Sequence, residues 1–286
     1  MADRVQLSHS RLQMLARCPK QFEYVYIDGL RRPPDAGLIT GRGVDASVNR
    51  NLQAKIDGEA LPLEQLADVA TEAVGQEVAK EGLTLLPEEV ALGVAKVVGM
   101  AKDRAVRLSG LHARSVAPLI SPKVVQRKFE VEIDSDTGPI DFTGYSDVEE
   151  VNSHLRDTKT SAKSPGAAAA DVSMQLTAYA TMKTITDGAP PPMLWLDTLV
   201  DSGKSEPKKV IQSTERTMVD MGRYLERTRA GAQLVRAGNF YPTDPSNWWC
   251  SKRWCGFFEI CPYAQRPIAV VASGATGEAA PHQGEE

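Results

Sequence analysis

The sequence has few aromatic residues, few cysteines and no long apolar run. Aromatic residues make up 6% of its 286 residues, and there are four cysteines. No apolar run reaches the roughly 18 residues that a membrane-spanning helix needs, and the first residues lack the apolar core of a signal peptide. We therefore expect a cytoplasmic protein without a membrane segment. Its closely spaced cysteines are expected to bind a metal or cluster rather than to form disulfides.

Neither sign of charge dominates the chain, which has 33 Lys and Arg residues, 37 Asp and Glu residues and a formal net charge of −4. This balance excludes a uniformly basic nucleic-acid coat, but it is compatible with a basic groove on an acidic protein. Two groups of basic residues could line such a groove or could equally be solvated charged faces. They are Lys123, Arg127, Lys128, Lys159 and Lys163 in the first group, and Lys204, Lys208 and Lys209 in the second.

Hydrophobic spacing divides the chain into four parts. Residues 1–115 are predicted to be mostly helical, with a loop over the Gly- and Pro-rich residues 31–43. Residues 116–240 change to patterns that predict the order β-β-β-α-β-β-α, a mixed α/β core on a small sheet flanked by helices. Residues 241–267 hold three of the cysteines, and residues 268–286, rich in Gly, Ala and Glu, are predicted to be disordered.

The cysteines are split between the two ends of the chain. Cys18 lies in a predicted helix over residues 8–27, which Pro19 should kink or restart, and the others form a C-x4-C-x5-C pattern: Cys250, Cys255 and Cys261. Four thiolates can bind zinc or an iron–sulfur cluster. A structural zinc usually takes two close pairs, so a lone cysteine plus a triplet favours a cluster that joins the two ends. The alternative is four buried apolar thiols.

Two predicted strands carry an acidic motif with one lysine. Asp147 ends the segment Gly144–Asp147 on one strand, and Asp157 and Lys159 follow on the next. Residues i and i+2 of a strand share a face, so Asp157 and Lys159 project together, and a hairpin can bring Asp147 beside them. Two adjacent carboxylates repel each other unless a cation lies between them, and oxygen ligands select Mg²⁺ or Mn²⁺.

Such a site suits hydrolysis of a phosphodiester. The metal would polarise a phosphoryl oxygen and activate a water molecule, while Lys159 could orient that water or neutralise charge on the phosphate. Gln175 and Tyr179 are four residues apart on the following predicted helix, so they share a face that could border the site. The alternatives are a surface ion pair at Asp157 and Lys159, and a Tyr179 that only fills the core.

Together these motifs resemble the RecB-like branch of the PD-(D/E)xK nuclease superfamily in its iron–sulfur form. That branch includes CRISPR-associated RecB-like exonucleases and AddB-type nuclease domains, and many phage proteins resemble it. The order and combination of the motifs carry the resemblance, which spans most of the chain. The motifs are Leu7-Ser8-His9-Ser10 leading to Cys18-Pro19, Gly144–Asp147, Asp157-Thr158-Lys159, Gln175 with Tyr179, and the last three cysteines with Pro262.

The resemblance implies a restriction-endonuclease-like core with defined site residues. The expected catalytic residues are Asp147, Asp157, Lys159, Gln175 and Tyr179. The divalent metal, Mg²⁺ or Mn²⁺, would be held by Asp147, Asp157, the backbone carbonyl of Thr158 and Asp45. A [4Fe–4S] cluster would be held by Cys18, Cys250, Cys255 and Cys261.

The chain departs from the family pattern in three places. Asp45 stands where the family usually has a histidine, in Gly41-Arg42-Gly43-Val44-Asp45, and an aspartate there could bind a hard cation or weaken activity. The family often has a glutamate in the first strand, where either Gln126 or Glu130 could stand. Four residues separate Cys250 from Cys255, whereas the family usually has two residues between the corresponding cysteines.

The expected function is therefore a metal-dependent DNA nuclease, an exonuclease acting on single-stranded DNA or DNA ends in recombination, repair or replication. A helicase or recombinase partner is expected by analogy with the family alone. The first alternative is a weakened or inactive DNA-binding or scaffold protein that keeps the nuclease fold and cluster, and Asp45 is the residue that favours it. The second alternative is a zinc-stapled adaptor in a recombination complex.

Overall fold

The computed structural model describes residues 4–264. Residues 4–243 lie in one compact unit, and residues 244–264 belong to a second. The tail that the sequence predicts to be disordered, residues 268–286, lies outside the described residues. No helix within residues 4–264 is both long and apolar enough to cross a membrane.

In the described part of the chain, six strands form one mixed sheet. The strands are β1 Val5–Ser8, β2 Pro122–Ile133, β3 Ile140–Glu150, β4 Leu155–Ser161, β5 Leu194–Val200 and β6 Lys208–Thr214. Strand β2 pairs antiparallel with β3 along nearly the whole length of β3, so β1 and β4 share the other edge of β3. Beyond β4, β5 pairs parallel with β4 and β6 pairs antiparallel with β5.

The shared edge of β3 has a gap between its two partners. On that edge β1 pairs with residues 140–143, and β4 pairs with Val148 and Glu149. Residues 144–147 have no strand partner there among the described residues. Strand β1 ends because Ser8 caps the following helix, where its side chain accepts the Arg11 N–H at 3.2 Å. The candidate site residues gather around this gap.

Helices cover the sheet and form two apolar cores with it. One core contains Leu7, Phe142 and Leu176 and includes α6 and α7; the other contains Leu52, Val148 and residues of α3, α4 and α5. The helices are α1 His9–Arg17, α2 Pro19–Phe22 with a π-helical turn Glu23–Ile27 after it, α3 Ala36–Ile56, α4 Leu63–Glu81, α5 Gly93–Ser115, α6 Met174–Asp187 and α7 Met218–Arg236.

The predicted order of elements from residue 120 onward is confirmed, with ends that shift by a few residues. The mixed sheet flanked by helices is consistent with a restriction-endonuclease-like core. The predicted loop over residues 31–43 is confirmed for residues 31–35 and wrong from Ala36 onward, because Asp35 accepts the Leu38 N–H at 2.8 Å and starts α3 there. The helix predicted over 8–27 is interrupted at Cys18 as expected, but strand β1 precedes it. The division of the chain at residues 115 and 240 stays a prediction.

His112 on α5 makes the fold sensitive to acid. Its side chain is 1% exposed, and neither ring nitrogen has a hydrogen-bond partner within the described residues. Burial, with a smaller effect from Arg156, lowers its pKa to about 4, whereas an unfolded histidine has a pKa of about 6.5. Between these values only the unfolded chain binds the proton, so stability falls as the pH falls through this window.

Replacing His112 with leucine is therefore expected to reduce acid sensitivity. At pH 5, protonation of His112 in the unfolded chain lowers the free energy of unfolding by about 2 kcal/mol. The thermal midpoint of His112→Leu should then fall about 4–8 °C less than that of the wild type when the pH is lowered from 7 to 5. Thermal denaturation followed by circular dichroism at both pH values tests this, and equal falls in the two proteins would contradict it.

Candidate active site

Asp147 and Asp157 face each other where β3 and β4 separate. Val148 is opposite Arg156 in the ladder, so the next pair toward the gap would be Asp147 and Asp157. The strands diverge there, and the Thr158 N–H donates to Oδ2 of Asp147 at 2.8 Å. In a regular ladder the Thr158 N–H would donate to a backbone carbonyl, but here it donates to the side chain of Asp147. This hydrogen bond fixes Asp147 beside the Asp157-Thr158-Lys159 segment.

Lys159 lies on the same face of β4 as Asp157, as the i, i+2 spacing predicted. Its Nζ is 2.8 Å from Oδ2 of Asp157 and 3.0 Å from Oδ1. The Asp157 side chain is 1% exposed and that of Lys159 is 46% exposed, so the lysine extends from a buried carboxylate toward solvent. Burial lowers the pKa of Lys159, but the Asp157 and Asp147 carboxylates outweigh it and the net pKa is raised. Lys159 is therefore an ammonium at neutral pH.

The acidic groups are close enough to shift one another's ionisation. Burial, then the charge of Asp157 and more weakly that of Asp45, raises the pKa of Asp147 to about 8, although Lys159 and the Thr158 N–H oppose this. Burial also raises the pKa of Asp45, with a smaller contribution from Asp157. Opposing charge or a bound cation at this point would favour the ionised carboxylates.

Gln175 and Tyr179 connect α6 to Asp157. Ser173 caps the helix by accepting the Leu176 N–H at 3.3 Å, which places both residues over the sheet. The Tyr179 hydroxyl donates to Oδ1 of Asp157 at 3.0 Å and accepts from Nε2 of Gln175 at 2.5 Å. Tyr179 is buried, as expected for a residue that only fills the core. Its hydroxyl also orients the Asp157 carboxylate, so it does more than fill the core. Burial, together with the charges of Asp157 and Asp147, raises the pKa of Tyr179 well above its usual range, so the hydroxyl keeps its proton.

Asp45 on α3 completes one wall of a cavity of about 480 Å³. Helix α3 approaches α4 closely at Gly43, where a Cβ atom would lie 2.9 Å from the Ala70 carbonyl oxygen. At Gly41 a Cβ atom would lie 3.4 Å from Oγ1 of Thr160 on β4. These close approaches bring Asp45 to the site. The cavity is lined by the predicted residues Asp45, Asp147, Thr158, Lys159, Gln175 and Tyr179, and also by Gln126 and Tyr145. Asp157 is not a lining residue, but it accepts hydrogen bonds from two of them, Lys159 and Tyr179.

The structure separates the two candidates for the family glutamate. Gln126 lines the cavity that contains Asp147, whereas Glu130 lines a neighbouring cavity of about 870 Å³. His9 and Tyr145 lie near these residues, but the sequence predicts no catalytic or metal-binding role for either of them. Tyr145, 50% exposed, lines both cavities; it precedes Asp147 by two residues, and this alternation could have identified it. Burial, then the charge of Lys159, lowers the pKa of His9 to about 4, and only the motif Leu7-Ser8-His9-Ser10 marked this residue.

The four cysteines are half-buried and are not joined by disulfides. In the first unit, Cys18 separates α1 from α2, and its N–H donates to the Met14 carbonyl at 2.9 Å. In the second unit, Cys250, Cys255 and Cys261 lie in a series of turns. Within residues 4–264, no three side chains of His, Cys, Asp or Glu form a group that could hold a metal ion. The iron–sulfur cluster and the divalent ion both stay predictions.

A family model described as the PD-(D/E)XK nuclease superfamily matches residues 6–262. No curated protein matches the chain. Among solved structures, SSO0001 is 12% identical with a TM-score of 0.45, over 93% of this chain and 90% of that one. A protein from Eubacterium rectale named "Putative exonuclease" is 11% identical with a TM-score of 0.49, over 95% and 93%. Because both TM-scores are below 0.5, we infer nothing from these two structures, and the family of the chain is assigned from the family model alone.

Proposed function

The chain belongs to the PD-(D/E)XK nuclease superfamily, and from this premise we propose that it is a divalent-metal-dependent deoxyribonuclease of the RecB-like branch. We propose that it hydrolyses phosphodiester bonds as an exonuclease on single-stranded DNA or DNA ends. The observation that supports this most directly is the convergence of Asp147, Asp157 and Lys159 at the gap in the sheet. Roles in recombination, repair or replication and a helicase or recombinase partner rest on the resemblance alone, and the cytoplasmic location stays a prediction.

The residues around the gap fit a hard divalent ion. Asp147, Asp157, the Thr158 carbonyl and Asp45 would supply oxygen ligands only, which suits Mg²⁺ or Mn²⁺. Burial, then the charges of Asp157 and Asp45, raise the pKa of Asp147 to about 8, so its ionised form is unfavourable here unless a cation offsets the charge. When bound, the ion would polarise the phosphodiester and lower the pKa of a water ligand.

The side chains around the ion each have a proposed task. Lys159 neutralises charge that grows on the phosphate, because its ammonium is held on the protein before the reaction and needs no reorganisation. Tyr179 donates to Asp157 while it accepts from Gln175, so the carboxylate keeps one orientation. This two-step support from α6 resembles the outer-shell hydrogen bonds that orient metal ligands in other enzymes.

Asp45 decides between an active enzyme and the inactive scaffold alternative. It lines the same cavity as Asp147 and Lys159, and its pKa responds to both Lys159 and Asp157. We propose that it acts as a metal ligand where the family has histidine. Asp147, Asp157 and Lys159 are all present as well, and their presence favours the active enzyme over the scaffold.

A [4Fe–4S] cluster on Cys18, Cys250, Cys255 and Cys261 is a proposal that rests on cysteine spacing and on the resemblance. Protein purified without oxygen is expected to contain roughly four iron atoms per chain. Cys255→Ala should lose most of this iron and become less stable. Elemental analysis and thermal denaturation check both effects. Zinc in place of iron would favour the adaptor alternative, and an iron-replete, stable Cys255→Ala would overturn the cluster.

The substrate is tested with end-labelled and closed circular DNA. Wild-type protein with Mn²⁺ is incubated with linear single-stranded, linear double-stranded and circular single-stranded DNA, and with RNA of the same sequence. An exonuclease on single strands should shorten the linear strand and leave the circle intact. Cleavage of the circle would show an endonuclease, cleavage of RNA alone would overturn the deoxyribonuclease proposal, and binding without cleavage would favour the scaffold alternative.

A further inference from the structure

One residue of β2 has a backbone conformation that strands rarely adopt. Gln126 has a φ of +53°, and among the described residues the only other non-glycine with a positive φ is Ser153, in the turn after β3. The left-handed region favours glycine, and a glutamine there is strained. Strain of this kind persists where the surrounding structure imposes it, and it occurs often at functional sites.

Gln126 lies directly across from Asp147. Val125 is opposite Val148 and Arg127 is opposite Ser146, so the ladder is in register on both sides of the strained residue. Gln126 also lines the cavity that contains Asp45, Asp147 and Lys159. The strained backbone is therefore at the edge of the proposed metal site and not in a turn.

The side chain of Gln126 connects to Asp45 through one intermediate. Its Nε2 donates to Oδ1 of Asn49 at 3.3 Å. Asn49 lies one turn after Asp45 on the same face of α3, and its side chain acts to lower the pKa of Asp45 against the larger effect of burial. Because Asn49 accepts from Gln126 through its oxygen, its amide group remains to donate to Asp45. Two amides in series thus lie between the strained residue of β2 and the Asp45 carboxylate on α3.

We infer that Gln126 is a positioning residue of the metal site, whose left-handed backbone keeps its amide on Asn49 so that Asn49 orients Asp45. The inference rests on the proposed function for the identity of the ion. In this role Gln126 acts through Asn49 and Asp45 and is not itself a ligand of the ion. It also explains why glycine, which would fit the backbone without strain, does not stand at position 126.

The test uses Gln126→Gly, which relieves the backbone and removes the amide. The thermal midpoint of the metal-free variant should be unchanged or about 2–4 °C higher than that of the wild type. Its dissociation constant for Mn²⁺, measured by calorimetry, should rise about 10- to 100-fold, as expected when an outer-shell partner is lost. The matched control is Val124→Gly, at an exposed position of the same strand. That control should lower the thermal midpoint and leave the Mn²⁺ dissociation constant unchanged.

A double-variant cycle tests the path through Asn49. Asn49→Ala should weaken Mn²⁺ binding as Gln126→Gly does, and the double variant should lose no more than either single one. In an Asp45→Ala background Gln126→Gly should have no further effect. Additive losses, or unchanged Mn²⁺ affinity in Gln126→Gly, would overturn the inference, as would a wild type that binds no Mn²⁺. A wild type that binds Mn²⁺ but cleaves no DNA would sink the proposed function alone.

Discussion

Replacing Lys159 with alanine is expected to reduce the rate of DNA cleavage about 10²- to 10³-fold, the usual effect of removing one preorganised group that stabilises transition-state charge. The ammonium is held by both oxygens of Asp157 and stays half-exposed, so it can reach a phosphate while remaining fixed to the protein. Initial rates on end-labelled DNA at saturating Mn²⁺ measure the effect. Binding of the DNA, measured with Ca²⁺ in place of Mn²⁺, should change far less than the rate.

Lys159 also neutralises a buried carboxylate, so a structural effect must be separated from a catalytic one. Circular dichroism of Lys159→Ala with Mn²⁺ present shows whether the fold is kept. Lys159→Met, which retains the aliphatic stem, should lose activity to the same extent. The matched control is Lys96→Ala, at an exposed position on α5, with wild-type activity expected. A folded Lys159→Ala that keeps more than a tenth of the wild-type rate would contradict the proposed role.

Replacing Asp147 with asparagine is expected to have two opposite effects, the loss of cleavage and a gain in stability of the metal-free protein. In the folded chain burial and the charge of Asp157 raise the pKa of Asp147 to about 8, whereas an unfolded aspartate has a pKa of about 3.9. Between these values the folded state binds the proton more tightly. Ionising Asp147 therefore destabilises the fold increasingly as the pH rises from about 4 to 8.

The thermal midpoint of metal-free Asp147→Asn should accordingly match that of the wild type near pH 4 and exceed it by several degrees at pH 8, since 1 kcal/mol corresponds to about 2–4 °C. Asparagine can still accept the Thr158 N–H, so the local backbone is preserved. Adding Mn²⁺ should stabilise the wild type through binding and leave the variant unchanged. A lower midpoint for the variant at pH 8, or retained cleavage, would show that Asp147 has a different role.

The sheet and the position of the site could be predicted because both depend on short-range patterns. Alternating residues identify β2 and β3, and the two-residue spacing of Asp157 and Lys159 places them on one face. The turn after β3 is short, so β4 runs back along β3 and brings Asp157 close to Asp147. The four-residue spacing of Gln175 and Tyr179 likewise predicted one helix face, and the structure directs that face at Asp157.

Other features depend on contacts that no local pattern reveals. Strand β1 has four residues and pairs with a strand more than 130 positions away, so only its partner defines it. The start of α3 depends on the cap at Asp35 within a Pro- and Gly-rich stretch that otherwise indicates a loop. The left-handed backbone of Gln126 has no sequence signature, because glutamine does not favour it. Its position in the site emerges only from the register of β2 with β3.

We propose that the carboxylates and the lysine at the gap act with a divalent ion to cut DNA. The first experiment to make is cleavage of end-labelled linear DNA by the wild type in Mn²⁺, after EDTA, and after Mn²⁺ is restored, beside Asp147→Asn under the same conditions. We expect cleavage that stops with EDTA, returns with Mn²⁺ and is missing in the variant. Cleavage that continues in EDTA, or DNA binding without cleavage in every condition, would contradict it.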